Sequence, residues 1–413
     1  MNSVLAPKRK GLRVFMMDFL AVVAYYDAYL CRALQSEGAS VILGSITYHL
    51  DRDCFKRLGL KNDPGMLNII GKLRLPAPVR RILKVFELIL NILAQAVRFT
   101  WAPPHVVHVQ YLPLLERHVP VELWFLRYLR FLGSSLVCTI HDVLPHDTGK
   151  TLTHDFRKAY GMMDALICHS EAAKEQLLSL FSIAPEIVYV IPHGPLFFDH
   201  QAPDLRASGN HCQSESGECV VLCHGMIRPY KGIEFLIDAW AELQQSGVKA
   251  KLVIAGTGDP VLLNRISHNV RSLGLENSVQ LCFGFAPPEQ MISYYRMADI
   301  VVYPYKAITT SGALMTGIAQ RKAIIATALA PFRELLEHER NALLCEYGDT
   351  AGLASALARL ILDPMFRERL AKGASTLSCG DEAWRQIATQ TKNCYALVTG
   401  RQQVSELERS LAA

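Results

Sequence analysis

The feature that most constrains this chain is an alternation, sustained over most of its length, between short β-rich apolar runs and longer helical patterns. That alternation is the mark of βαβ units, in which parallel strands are covered by helices. In the first half, Leu12–Met17, Val41–Gly44, Val106–Gln110, Leu136–Ile140, Ala165–His169 and Val188–Ile191 read as strands. A helix over Tyr25–Glu37 stands between the first two and stops at Gly38. From Asp199 to Glu218 the periodicity lapses into Gly, Pro, Ser and charged residues, a linker composition. A second series follows, with strands at Val220–His224, Lys251–Ala255, Val279–Phe283, Ile300–Tyr303 and Ala323–Ala326.

The expected fold is therefore α/β: a Rossmann-like domain over residues 1–198, a linker at 199–218 and a second Rossmann-like domain over 219–378. A helical pattern at Glu382–Val398, within a tail of residues 379–413, is expected to cross back to the first domain. Two such domains facing across a cleft would bind ligands outside the carboxyl ends of their strands.

The 413 residues are 50% apolar and 20% charged, which suits two large cores and excludes a disordered chain. The net charge of +5 comes without the basic runs of a nucleic-acid binder, so nucleic acid is not an expected partner. Phosphorylated small molecules and an anionic membrane surface suit the charge better. Eleven cysteines, an odd number without a CxxC pair, read as reduced thiols of a cytoplasmic chain. Lys8, Arg9, Lys10 and Arg13 before an apolar run imitate a signal peptide, but Asp18 interrupts the run, and a buried first strand is the preferred reading.

Between Lys72 and Arg98 there are six Lys/Arg and one Glu, and Lys84, Glu87, Asn91, Gln95 and Arg98 form a narrow polar stripe at helical spacing. The longest uncharged run, Leu88–Val97, is too short for the roughly 20 residues that a membrane span needs. Two readings remain: a helix packed on the first sheet, or one lying at a membrane surface.

Three places carry chemistry. The loop His224–Gly232 follows the first strand of the second domain, and its Arg228 and Lys231 suit either a diphosphate or a solvated turn. Thr309-Thr310-Ser311-Gly312 precedes the helical run Ala313–Gln320, where hydroxyls and unpaired N–H groups either cap the helix or meet an anion. His141 and Asp142 stand just past a strand end, where the imidazole is either structural or functional. A metal reading of His141, Asp142, His146 and Asp147 is disfavoured, because Pro145 breaks any helix between the pairs. No metal is expected.

The segment Val220–Pro364 resembles the C-terminal domain of glycosyltransferase family 4, which has the GT-B fold. The resemblance rests on GMIRPYKG before a helix, KLVIAGTGDP, VQLCFGFAPPEQMISYYRMADIVVYPY and KAIIATALAPFRELLE, and it extends more weakly through the first domain. It implies that Lys231 and Arg228 hold the donor's phosphates, although the family's Arg position directly after Gly225 is Met226 here. Gly225 and Gly256 would admit the donor. The family carries a pair of Glu where this chain has Ile308 and Thr316, so Thr309, Thr310, Ser311, Gly312 and Thr316 are expected to contact the donor instead. His141 matches a His beside the reacting sugar carbon, with Asp142 and Glu334 in support, while His193 is expected to be structural. Ala24-Tyr25-Tyr26-Asp27 replaces a glycine pair found in many relatives and narrows the acceptor side.

The resemblance implies a retaining glycosyltransferase that moves a sugar from a nucleoside diphosphate sugar to an acceptor hydroxyl without a cofactor. The expected acceptor is a glycan or lipid-linked saccharide in exopolysaccharide or other cell-surface glycan assembly. The expected location is the cytoplasm, peripheral to the inner face of the membrane. The rival readings are a non-catalytic sugar-nucleotide-binding subunit and an epimerase or phosphorylase on the same fold.

Overall fold

Strands buried on both faces need apolar side chains in succession, and the runs named above supply them. The computed structural model describes residues 11–61, 66–73, 75–144, 149–199, 218–377 and 380–411. All of the expected strands form within a residue or two of their expected ends. One sheet contains β1 (Arg13–Met17), β2 (Ser40–Gly44), β3 (Val106–Val109), β4 (Ser135–Ile140), β5 (Ala165–Cys168) and β6 (Val188–Val190). The other contains β7 (Val220–His224), β8 (Lys251–Gly256), β9 (Val279–Phe283), β10 (Ile300–Tyr303), β11 (Ala323–Thr327) and an additional β12 (Leu343–Cys345). Their orders are β2-β1-β3-β4-β5-β6 and β12-β11-β10-β7-β8-β9, with every pairing parallel.

The helices are α1 (Ala24–Ser36), α2 (Cys54–Arg57), α3 (Ala77–Trp101), α4 (Val121–Phe131), α5 (Thr153–Tyr160), α6 (Glu171–Leu180), α7 (Ile233–Gln245), α8 (Pro260–Ser272), α9 (Pro288–Met297), α10 (Gly312–Ala319), α11 (Ala330–Arg333), α12 (Thr350–Leu362), α13 (Pro364–Ser375) and α14 (Asp381–Leu411). This is the GT-B arrangement of two parallel α/β sheets.

By its contacts the chain divides into residues 1–169, 174–192 and 384–413 as one unit, and 170–173 with 193–383 as the other. The division falls before the expected boundary at 198/199 because His193 and Leu196 pack against Gly312 of the second unit. The expected linker lies largely outside the described residues. The C-terminal helix does return to the first unit. Trp384 stacks on Tyr29 at 5.6 Å between ring centroids, and the Tyr395 hydroxyl lies 2.6 Å from His108 Nδ1. His108 also meets the Thr139 hydroxyl at 2.7 Å, so one buried imidazole joins β3, β4 and α14. Burial and, secondarily, His169 push its pKa down to about 3, and it stays neutral.

In each sheet one pair of neighbours marks where the chain reverses its direction of winding: β1 beside β3, and β7 beside β10. Crevices form at the carboxyl ends of such pairs.

Helix α3 adopts neither expected packing in full. The middle of its polar stripe turns inward: Glu87, Asn91 and Gln95 are buried with Leu88, Ile92 and Phe99, while Arg98 and the apolar Ile82, Phe86, Leu90, Leu93, Val97 and Trp101 are exposed. No helix among the described residues is long and apolar enough to cross a membrane.

Candidate functional site

At the β7/β10 switch point the backbone itself shapes the site. Gly225 N–H donates to Ala255 O and Ile227 N–H to Thr257 O, so the loops leaving β7 and β8 run side by side. Gly256, at φ +147°, lets them close, since a Cβ there would lie 1.8 Å from Gly225 O. Gly232, at φ +66°, ends the turn Pro229–Lys231 and starts α7, and a Cβ on it would lie 1.8 Å from Pro304 O. Only glycine fits either place.

That turn points Lys231 over the ring of Tyr305, with Nζ 3.7 Å from the centroid. The aromatic face holds the ammonium as a cation–π partner. Arg228 is half-buried at the start of the same turn, and its carbonyl accepts from Lys231 N–H. His224, Gly225, Met226, Lys231, Ala255 and Tyr305 line a recess here. Burial first, and the Lys231 charge second, push the His224 pKa down to about 4, so it remains neutral beside the ammonium.

Helix α10 completes this corner. Gly225 lies beside Ala313, and a Cβ on the glycine would stand in ordinary contact, 3.9 Å from the alanine methyl. The hydroxyls of Tyr295 and Tyr303 both donate to Ala313 O, anchoring the first turn. Ser311 caps it by accepting from Leu314 N–H. Thr309 is buried, and the Thr310 hydroxyl is buried without a hydrogen-bond partner. Thr316 is only 2% exposed and donates its hydroxyl to Gly312 O inside the helix, a placement that faces the core where the expectation was donor contact. Between Tyr305 and Gln320 there is no carboxylate, so the charges of this corner are cationic.

At the β1/β3 switch point of the first unit, His141 Nε2 lies 2.9 Å from Gln110 Oε1, and its ring meets Tyr26 edge-on at 4.8 Å and His169 at 5.2 Å. The expected acceptor-side run Ala24–Asp27 is the first turn of α1, where Tyr26 and Asp27 are buried. Asp18 accepts from Val23 N–H and closes the turn out of β1. Burial and then the Asp18 charge raise Asp27 well above the usual carboxylate range. Burial also lowers His169 to about 4.

Each expected residue thus has a definite place. Gly225, Arg228, Lys231, Gly256, Thr309, Thr310, Ser311 and Gly312 gather at one corner of the second unit. His141 and Asp142 stand after β4 of the first. Glu334 is exposed at the end of α11 and accepts from the N–H groups of Glu171 and Ala172, in the segment 170–173 of its own unit. His146 and Asp147 lie outside the described residues, among which no group of three or more His, Cys, Asp and Glu could hold a metal. Sequence reasoning missed Tyr305 and Gln110, although each stands at or just past a strand end, the position that marked His141.

Two family models match: Glycosyltransferase Family 4 over residues 23–194, and Glycosyl transferases group 1 over residues 218–363. An uncharacterized glycosyltransferase of Methanocaldococcus jannaschii is 26% identical over 56% of this chain and 60% of its own length. The alpha-D-kanosaminyltransferase of Streptomyces kanamyceticus is 30% identical over 59% and 61%. This chain therefore spans about half to three fifths of the length of such relatives. Among solved structures, HepE of Anabaena in complex with UDP and glucose aligns with a TM-score of 0.72 at 17% identity, covering 92% of this chain and 99% of that one. With one model on each sheet and the GT-B fold beneath both, the chain belongs to the family 4, group 1 glycosyltransferases.

Proposed function

We infer that the protein transfers a sugar from a nucleoside diphosphate sugar to an acceptor hydroxyl, with retention of anomeric configuration. The observation that carries this reading is the cationic corner where Lys231, Arg228 and the N-terminus of α10 meet at the β7/β10 switch point. In the reaction, the bond from the anomeric carbon to the diphosphate oxygen breaks and its electron pair leaves with the nucleoside diphosphate. The acceptor oxygen bonds to the anomeric carbon and loses its proton. Negative charge grows on the diphosphate, where fixed positive groups lower the barrier most. Arg228 offers a planar fork, Lys231 a point charge, and α10 its N–H groups. The reading calls for no metal or cofactor, because these groups supply the counter-charge.

His141, held by Gln110, positions the transferred sugar in this reading. Asp142 and Glu334 support the site from their loops. The acceptor is a lipid-linked saccharide at the inner face of the membrane, and the product belongs to cell-surface polysaccharide assembly. Names of relatives support the reaction class, and the complex of HepE with UDP and glucose supports the donor class.

Lys231→Ala tests the donor site. A charge-assisted hydrogen bond contributes roughly 1.5–3 kcal/mol, so affinity for the productive nucleoside diphosphate should fall about ten- to a hundredfold, measured by calorimetry. Unchanged affinity removes the assignment. Binding without transfer, across a panel of donors and membrane-extract acceptors, would favour a non-catalytic subunit.

A further inference from the structure

We propose that the outward face of α3, with the loop before it and part of α4, is a docking surface for a bilayer bearing anionic headgroups. This deepens the membrane acceptor inferred above by assigning the face that meets the lipid. A helix packed on a soluble core turns its apolar side inward, whereas α3 buries Glu87, Asn91 and Gln95 beside only part of its apolar surface, and Glu87 and Asn91 have internal partners. Glu87 accepts from the N–H groups of Ile69 and Ile70, and the Asn91 amide both accepts from and donates to the backbone of Leu67, at 2.6 and 2.9 Å. The polar groups thus serve to pin the loop, and that loop leaves Leu67, Ile69 and Leu73 exposed.

What remains outside is apolar and continuous along the helix. Ile82, Phe86, Leu90, Leu93, Val97 and Trp101 recur every three or four residues and are 54–76% exposed. Helix α4, joined to α3 by the Thr100–Tyr128 hydroxyl pair, adds exposed Trp124 and Phe131. A contiguous row of exposed large apolar side chains of this kind marks an interaction surface rather than ordinary scattered exposure.

The charges select the occupant. Between Met66 and Trp101 there are six Lys/Arg, and the single carboxylate, Glu87, is buried. A second copy would set this basic face against its like. An anionic bilayer instead offers hydrocarbon to the aliphatic stripe, headgroups to Lys72, Arg80, Arg81 and Arg98, and an interface to tryptophan.

The test is co-sedimentation of the full chain with phosphatidylcholine vesicles, with and without phosphatidylglycerol, in the absence of donor and acceptor. Leu90→Glu with Val97→Glu changes exposed positions only, so the fold should persist, checked by thermal melting and by nucleoside diphosphate affinity. Binding to anionic vesicles should weaken at least about tenfold in the variant and weaken with salt in the parent, and tryptophan emission of the parent should shift to the blue on vesicles. Absence of vesicle binding by the parent overturns the proposal. So does a dimer in the parent that the variant dissolves, which would assign the face to a second copy. Vesicle binding with no transfer to any lipid-linked acceptor would overturn the acceptor reading and leave this surface standing.

Discussion

Replacing Gly232 by alanine separates backbone strain from site geometry. The residue sits at φ +66°, where a side chain costs roughly 1–2 kcal/mol. The added methyl would also stand 1.8 Å from Pro304 O. Ordinary carbon–oxygen contacts begin at about 3.3 Å, so the two loops must part by more than about 1 Å. Lys231 precedes one clashing residue and Tyr305 follows the other, and their 3.7 Å contact spans the gap that widens. A misplacement of about 1 Å lowers rate by roughly a hundredfold, which sets the expected loss in kcat/KM. Gly247→Ala is the control, because Gly247 has φ +77° with nothing within 4 Å of an added Cβ. Both variants should lose stability from backbone strain in chemical denaturation, Gly232→Ala the more because its clash adds to the strain. Only Gly232→Ala should also lose donor affinity by calorimetry and turnover in a transfer assay. Equal donor affinity and turnover in the two variants would refute the claim that this close approach shapes the site.

Two further outcomes follow from buried polar groups in the first unit. Burial, opposed by the Leu115 and Leu114 N–H groups, raises Glu122 from 4.5 to about 8, so the native state holds a proton that the unfolded chain releases. Its penalty is absent below about pH 4.5, grows through the window up to about pH 8 and is constant above it, which means stability is lost as pH rises. Glu122→Gln should flatten that slope, gaining on the parent by up to about 1.4 kcal/mol per pH unit within the window, and parallel urea-denaturation profiles would disprove the assignment. Tyr395→Phe removes the hydroxyl that meets His108 and should cost about 1–3 kcal/mol, with early loss of α14 protection in hydrogen exchange; uniform protection in the variant would show that this contact does not anchor the helix.

Most of the scaffold was legible because its signals are local. β4 and β5 are buried at every position and mostly apolar, and such runs announce themselves in any window. β12 has only three residues at a sheet edge and gives no comparable signal. The orientation of α3 was illegible for a different reason. Its periodicity showed two faces, but which one turns inward depends on Glu87 and Asn91 finding partners 17 to 24 residues earlier. The burial of Thr316 has the same character. Its hydroxyl bonds within α10, one turn back, and no pattern in the surrounding residues reveals that a helix presents this side to the core.

The two switch points show why the site in one unit could be read in advance and that in the other only in part. At β7/β10 the site depends on glycines, whose absence of a side chain is visible in sequence: Gly225 and Gly256 permit the loops to touch, and Gly232 aims Lys231. Such a backbone site, carrying fixed positive charge and helix N–H groups, suits the constant part of a ligand, a diphosphate. At β1/β3 the furnishing is made of side chains in mutual contact: Gln110 with His141, and Tyr26 with both His141 and His169. These contacts join residues far apart in the chain, so no single segment announces them. Side chains held in direction by such contacts suit hydroxyls, which need donors and acceptors placed around them. In the proposed transfer, donor affinity would reside in the glycine-shaped corner, and selectivity among acceptors in the side-chain network of the first unit.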